Sequence, residues 1–370
     1  MTEIARQGRC KILWNNKDVT SDISGYVSSV NYTDREEDMS DDATFIFDNS
    51  SGIWSEDWYP QEGDTIELFI GYQNSLINCG LFEVDEITLS GSPDEIEVKT
   101  IAAGVTKSLR TRNSKAFENQ TLKQIAQFFC TKHGFTLVDT SNMLNQINLD
   151  RKTQDYKTDL GFLSELAKEY GFIFSIRGDK MVFISYYDLD NQDAIKDIDK
   201  TQVGSYSVTR KMYDTYAESE AKARNKKTGE IVKKTTKAVN LYGEVTSTDT
   251  IKSKGSAKSA AQAESRSNSN LWNKNKLKQT LSLNDIEGDP HLVSGINFNF
   301  TGVGLGSGKY HITSSSHTIS GDGAYRMKVE ARLTGTVPKP QRIPKQVTKK
   351  EDNTDEDQNI NLGLEEDYYE

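Results

Sequence analysis

Apolar and polar positions alternate with period two over the first hundred residues and again after about residue 200. Between these stretches the spacing becomes helical. Ile66-Glu67-Leu68-Phe69-Ile70 and Ile96-Glu97-Val98-Lys99 show the alternation, which puts every second side chain on one face of a strand. The pattern predicts strands over Arg9–Trp14, Tyr26–Arg35, Ala43–Asp48, Asp64–Gly71, Leu81–Ser90 and Glu95–Ala103, with a hairpin turn at Asn15-Asn16-Lys17-Asp18. Several strands joined by short turns predict a barrel or sandwich.

Asn119 to Ser185 contains two helix-strand halves that repeat each other. Ile125, Ala126, Phe129 and Cys130 correspond to Phe162, Leu163, Leu166 and Ala167, and His133-Gly134-Phe135 to Tyr170-Gly171-Phe172. Thr121 is placed to cap the first helix, and Thr158 or Asp159 the second. Gly134 and Gly171 stand where a left-handed stop favours glycine. Neither helix is long enough to stand alone, so the two must pack together. Phe172, Phe174 and Ile176, the turn Arg177-Gly178-Asp179 and Met181-Val182-Phe183-Ile184 predict a hairpin. The residues between the halves read as a polar spacer, 106–118 as a polar connector and 186–201 as an acidic one.

After Val203 the pattern predicts strands over Ser205–Tyr216, Glu230–Leu241, Lys278–Leu283, Leu292–Phe300, Gly308–Thr318 and Gly323–Leu333. Ser256–Asn275, rich in Ala and Ser, predicts a helix, and Asp285–Pro290 a turn. Lys222, Arg224, Lys226 and Lys227 read as a solvated hairpin tip.

Charge and composition narrow the function. The formal net charge is −10. Val347–Glu370 alone holds nine acids against Lys349 and Lys350. The rest is nearly balanced, which argues against a general nucleic-acid binder. No stretch approaches the ~20 apolar residues of a membrane span. The N-terminus lacks the apolar core of a signal peptide, so a protein made and kept in a cytoplasm, or released by lysis rather than secretion, is expected. Cys10, Cys79 and Cys130 are widely spaced and read as reduced thiols.

Candidate chemistry is thin. His133, His291, His311 and His317 form no paired-ligand motif. His311 and His317 share a strand face only if no bulge intervenes. The acidic run Arg35–Asp42 lacks an EF-hand's alternating ligands and reads as a solvated loop. Thr301–Gly308 followed by Lys309 fails the phosphate-loop pattern at Val303 and Tyr310. Asp85-Glu86 reads as surface charge rather than a glycosidase pair. Trp54, Trp58 and Tyr59 read as a plug in a barrel end rather than a sugar platform. No catalytic, cofactor-binding or metal residue is expected, and no cofactor.

The order of motifs carries more. Gly288-Asp289-Pro290, Gly308-Lys309-Tyr310, His317 and Gly323-Ala324-Tyr325 follow the helix-strand run TDLGFLSELAKEYGFIFSIRGDKMVFI. This series resembles the phage late control D family, the baseplate hub proteins of contractile tails. The resemblance implies an α+β, mainly β chain. Residues 1–112 and 203–337 would form two tail-tube-like β-barrel or sandwich domains, the second with a helix near 256–275. A small α/β insert, 113–202, would separate them, and 338–370 would be a disordered acidic tail. The implied role is a non-enzymatic virion structural protein, a homotrimeric symmetry adaptor between a six-fold tail tube and a three-fold central spike. The implied partners are the tube protein, the spike protein, which another chain would supply, and neighbouring baseplate or tube-initiator proteins. Membrane insertion is not expected, and contact with DNA in the lumen is left open. The implied place is the baseplate of a virion or phage-tail-like particle, assembled in a host bacterial cytoplasm. The rival readings are a tail-associated cell-wall hydrolase or carbohydrate-binding protein, and the hub of a non-contractile tail.

Overall fold

A computed structural model describes residues 7–37, 40–72, 75–103, 109, 111–224, 229–238, 247–257 and 260–334. The first segment supplies β1 (Gly8–Trp14), β2 (Lys17–Asp18), a one-turn helix α1 (Thr20–Ile23), β3 (Val27–Arg35), β4 (Asp42–Asp48), β5 (Thr65–Tyr72), β6 (Ser75–Ser90) and β7 (Glu95–Ala102). The middle supplies β8 (Arg112–Thr121), α2 (Leu122–His133), β9 (Thr136–Asp139), β10 (Asn148–Thr158), α3 (Asp159–Tyr170), β11 (Phe172–Arg177), β12 (Lys180–Ser185), α4 (Tyr186–Asn191) and β13 (Ala194–Asp199). The last supplies β14 (Val203–Arg210), β15 (Glu218–Arg224), β16 (Ile231–Lys237), β17 (Thr250–Ala257), α5 (Ala260–Asn275), β18 (Gln279–Glu287), β19 (Asn297–Thr301), β20 (Gly308–Ser320) and β21 (Tyr325–Leu333). The architecture is mainly β, as expected.

The first and last segments share one 13-stranded sheet, in the order β14-β18-β21-β20-β3-β4-β7-β6-β5-β1-β2, with β19 beside β20 and β13 beside β19. It wraps two apolar cores. One gathers Val30, Phe45, Phe47, Ile66, Leu68, Phe82, Ile96 and Val98. The other gathers Leu281, Leu283, Phe298, Phe300, Tyr310, Ile312 and Val329. Each such side chain contributes ~1.5–3 kcal/mol on burial.

β20 serves both cores. Its first half pairs with β19, Asn297 opposite His311. Its second half pairs with β3, from Ser314 opposite Arg35 to Ser320 opposite Ser29. The register against β21 slips between Ile312 and Ser314. That bulge inverts the strand's faces, as an extra residue must when the side-chain period is two. The face that carries Tyr310 and Ile312 is therefore continued by Ser315, His317 and Ile319, so that one face of the strand serves one core with Tyr310 and Ile312 and, further along, the other with Ile319. It also puts His311 and His317 on opposite faces.

The insert packs its two helices as the repeat predicts, with Leu122, Ile125, Phe129, Phe162, Leu163 and Leu166 in one core. Thr121 forms a full capping box with Gln124, accepting from its amide at 3.2 Å. Thr121→Ala should cost about 1 kcal/mol. An unchanged urea midpoint would count against the cap. Thr158 caps α3, accepting from the Gly161 amide at 3.0 Å. Gly171 ends that helix at φ 84, and a Cβ there would meet the Tyr186 ring at 2.5 Å.

Several expectations need correction. The polar connector and spacer are not loops: β8 and β10 form an antiparallel ribbon from Asn148–Thr121 to Thr158–Arg112. Few of their side chains, such as Phe117 and Leu149, turn inward, so the pattern looked polar. The acidic connector is α4 and β13, the latter parallel to β19. Leu292–Phe300 is strand only from Asn297, and β18 runs on to Glu287. The strands expected over Ser205–Tyr216 and Glu230–Leu241 end earlier, at Arg210 and Lys237. The acidic tail and Lys226 and Lys227 lie outside the described residues.

Candidate functional site

The described part of the acidic run Arg35–Asp42 is not a solvated loop: Glu36 is buried and Glu37, Asp41 and Asp42 are half-buried, and Asp34, just before the run in β3, is 1% exposed. Asp34 and Glu36 are drawn in because cations and donors from elsewhere reach them. Arg177, at the end of β11, pairs with Asp34 and with Asp41 Oδ2 at 3.1 Å. It also donates to Arg35 O at 3.3 Å and to Ser294 Oγ at 2.7 Å. Ser294 in turn donates its amide to Asp34 Oδ2 at 2.7 Å. One guanidinium thus joins β3, the insert and the loop before β19. Beside it, His311 bonds to Glu36 and, through Nδ1, to Asn297 Oδ1 at 2.7 Å. A cleft of about 510 Å³ opens over this joint, lined by Arg35, Glu36, Asp41, Gly161, Lys168 and Ile176.

Burial pushes the Asp41 carboxyl up to about 7, only partly offset by Arg177, with the charge of Asp34 adding to the rise. An acid held above its ordinary value stays protonated in the folded chain where the unfolded chain has ionised. Its contribution is therefore complete at low pH and is lost as pH rises from about 4 to about 7. Wild type should lose on the order of 2 kcal/mol between pH 5 and 8 on this account, and Asp41→Asn should remove that slope. Urea midpoints across the range test it. An unaltered slope in the variant would place the titration elsewhere.

The other histidines are structural. His133 bonds to Asp159, which is fully buried and also receives Lys132 Nζ at 2.5 Å and Gln154 Nε2 at 2.7 Å. Burial raises that carboxyl, but these donors outweigh it and hold it below its ordinary range. Asp159 therefore locks α3 against the end of α2 rather than capping. Burial lowers His317 to about 4, where Nδ1 meets Tyr325 Oη at 2.8 Å. His291 contributes its amide to Asp289 at 3.1 Å. Among the described residues no group of three His, Cys, Asp or Glu could hold a metal. No helix among them is long and apolar enough to cross a membrane.

The motif residues converge on packing. The Gly288 amide donates to Tyr325 O at 3.0 Å, and Tyr72 Oη donates to Gly288 O at 2.7 Å. A Cβ on Gly288 would lie 2.2 Å from the Tyr325 ring. Tyr310 Oη donates to Gly306 O at 2.6 Å and accepts from Gln279 at 2.7 Å. Gly-Asp-Pro, Gly-x-Tyr and the histidine are thus read together because the sheet brings them together, Tyr72 crossing from the first segment.

Trp54 is buried in the first core, stacked on Phe47 at 4.2 Å. Tyr59 stays exposed over a cleft that Trp14, Trp58 and Asp57 also line. Asp85 and Glu86 are exposed. Between β3 and β20 the sheet's second face, unread in the sequence, is polar. Thr33 meets Ser316 at 3.3 Å and Thr318 donates to Asn31 at 2.7 Å. Among the described residues its outward strand β14 pairs only with β18, leaving one edge open.

A curated relative from Escherichia phage 186, named "Probable baseplate hub protein", is 26% identical over 171 residues. The match covers 46% of this chain and 43% of that protein, so the chain spans less than half the relative's length. The 43 kDa tail protein of prophage MuSo2 from Shewanella oneidensis shares the fold, with TM-score 0.66 at 14% identity, covering 88% of this chain and 98% of that one. A tail protein from Neisseria meningitidis MC58 does so too, with TM-score 0.64 at 9% identity, covering 88% and 96%. A family model described as YQBQ-like matches residues 57–332. That span exceeds half of the sequence, and the chain belongs to the YQBQ-like family.

Proposed function

We propose that this chain is a structural baseplate hub protein of a tail or injection particle, and that three copies form a ring adapting a six-fold tube to a three-fold spike. The observation that carries this reading is the single sheet that wraps two cores, with β20 common to both. Two similar β-units per chain, 1–112 and 203–337, make six in a ring of three. The insert, 113–202, packs at the periphery, held by Arg177. The ring closes through the open edge of β14, since unpaired N–H and C=O groups favour pairing with another chain. The tube and spike proteins dock on its two ends. The name carried by the phage 186 relative supports a structural role rather than an enzymatic one.

Light scattering of the purified chain, alone and with candidate tube and spike proteins, tests the reading. A mass of three copies, and co-elution with both proteins, is expected. A persistent monomer that ignores both would end it.

A further inference from the structure

The end of β14 holds an arrangement that ring geometry alone leaves unexplained. Arg210 stands opposite Gln279 in the ladder. The Lys211 amide donates to Lys278 O at 2.8 Å, holding the two segments side by side. Lys278 is only 5% exposed. Among the described residues its Nζ has no hydrogen-bond partner, and neither has Arg210 Nε. Elsewhere Lys276 is answered by Glu37 at 2.8 Å, and Arg332 by Asp190 at 2.6 Å through one nitrogen, its Nε and Nη2 finding no partner among the described residues. A desolvated ammonium without an acceptor is strongly unfavourable. Burial, with the charge of Arg210 adding to it, weakens the hold of Lys278 on its proton. The nearby surface is apolar: Met212, Leu277 and above all Tyr213, 91% exposed. An aromatic anchor beside an unanswered cation is the composition of an interface core rather than of free surface.

We propose that Arg210 and Lys278 receive a carboxylate side chain from a second copy of this chain, with Met212, Tyr213 and Leu277 as the apolar contacts around it. The proposal rests on the ring reading above and locates one of its contacts. Two observations select a second copy. The pair continues the open edge of β14, along which a neighbouring copy would lie. At the other end of the sheet, on and after β2, Asp22 and Asp57 are exposed beside Lys17 and the Lys11–Asp18 pair, so that edge offers carboxylates to the cations of this one.

The test uses the full chain, with Lys278→Met, Arg210→Gln and Tyr213→Ser. Sedimentation velocity reads assembly, and thermal unfolding at a concentration where the chain is monomeric reads stability. Lys278→Met should leave the monomer as stable as wild type or more so, because it removes an unanswered charge. It should weaken trimer formation at least tenfold, and Arg210→Gln and Tyr213→Ser should weaken it as well. A less stable Lys278→Met monomer would mean that Lys278 has an acceptor within its own chain, and would overturn the proposal. So would variants that assemble as tightly as a trimeric wild type, a result that leaves the ring reading standing. A wild type that never assembles sinks both. Inorganic phosphate is the remaining probe: if it stabilises the wild-type monomer through Lys278 and acetate does not, the site takes an inorganic oxyanion and the second-copy assignment falls.

Discussion

Arg177→Met should lower the unfolding free energy by about 3 kcal/mol at pH 8, within the range for removing one partner of a buried ion pair. Arg177 is the only cation paired with Asp34 among the described residues. Without it, Asp34 and Asp41 face each other as two desolvated carboxylates, and the amide and hydroxyl of Ser294 remain as neutral donors to Asp34. The loss should be smaller at pH 5, because Asp41, already raised to about 7, then carries its proton. Arg177→Lys should recover less than half. The planar fork reaches Asp34, Asp41, the Arg35 carbonyl and Ser294 together, and an ammonium cannot. Arg151→Met is the control, since its pair with Glu118 at 3.7 Å is mostly exposed and should change stability by less than ~0.5 kcal/mol. Urea unfolding at both pH values reads the result. A loss under about 1 kcal/mol at pH 8 would mean that the joint is held by apolar packing and not by this cluster.

The Arg177 joint also explains what could and could not be read from the sequence. Period-two alternation located the strands of the first core because each has one covered face: Ile66, Leu68 and Ile70 in β5, Ile96 and Val98 in β7. The helix repeat was legible because its apolar residues fall on one stripe. β8 and β10 were not legible, because a two-stranded ribbon that buries little has no contrast to show. The acidic run misled for a different reason. A local charge run reads as solvated unless its partners are visible, and here they are Arg177 and His311, far along the chain. The motif series pointed to the family, yet no pattern announced that Gly288, Tyr325 and Tyr72 form one packed cluster. Sharing of β20 hinged on a single bulge, which leaves no mark in composition.

Proline placed in β14 should have the largest effect of all if the ring closes at that edge. In an antiparallel sheet the N–H groups of neighbouring residues point to opposite sides of the strand. Of Tyr206 and Ser207, one therefore donates toward β18 and the other toward the open edge. Proline at the first position breaks the ladder inside the chain and should destabilise it by about 1–3 kcal/mol. Proline at the second leaves the fold intact, as edge positions tolerate it, and removes a hydrogen bond only from the contact between copies. Tyr206 also meets the Phe300 ring edge-on at 5.5 Å, so Tyr206→Ala separates that packing from the backbone effect. A closed ring multiplies the loss. Three identical contacts, each weaker by about 2 kcal/mol, lower the trimer's formation constant by roughly four powers of ten. One proline variant should therefore unfold like wild type and yet sediment as a monomer, while the other unfolds early. If both variants keep the mass of a trimer, β14 is not where the ring closes. The half-buried polar face of β3 and β20 would then be the next surface to probe.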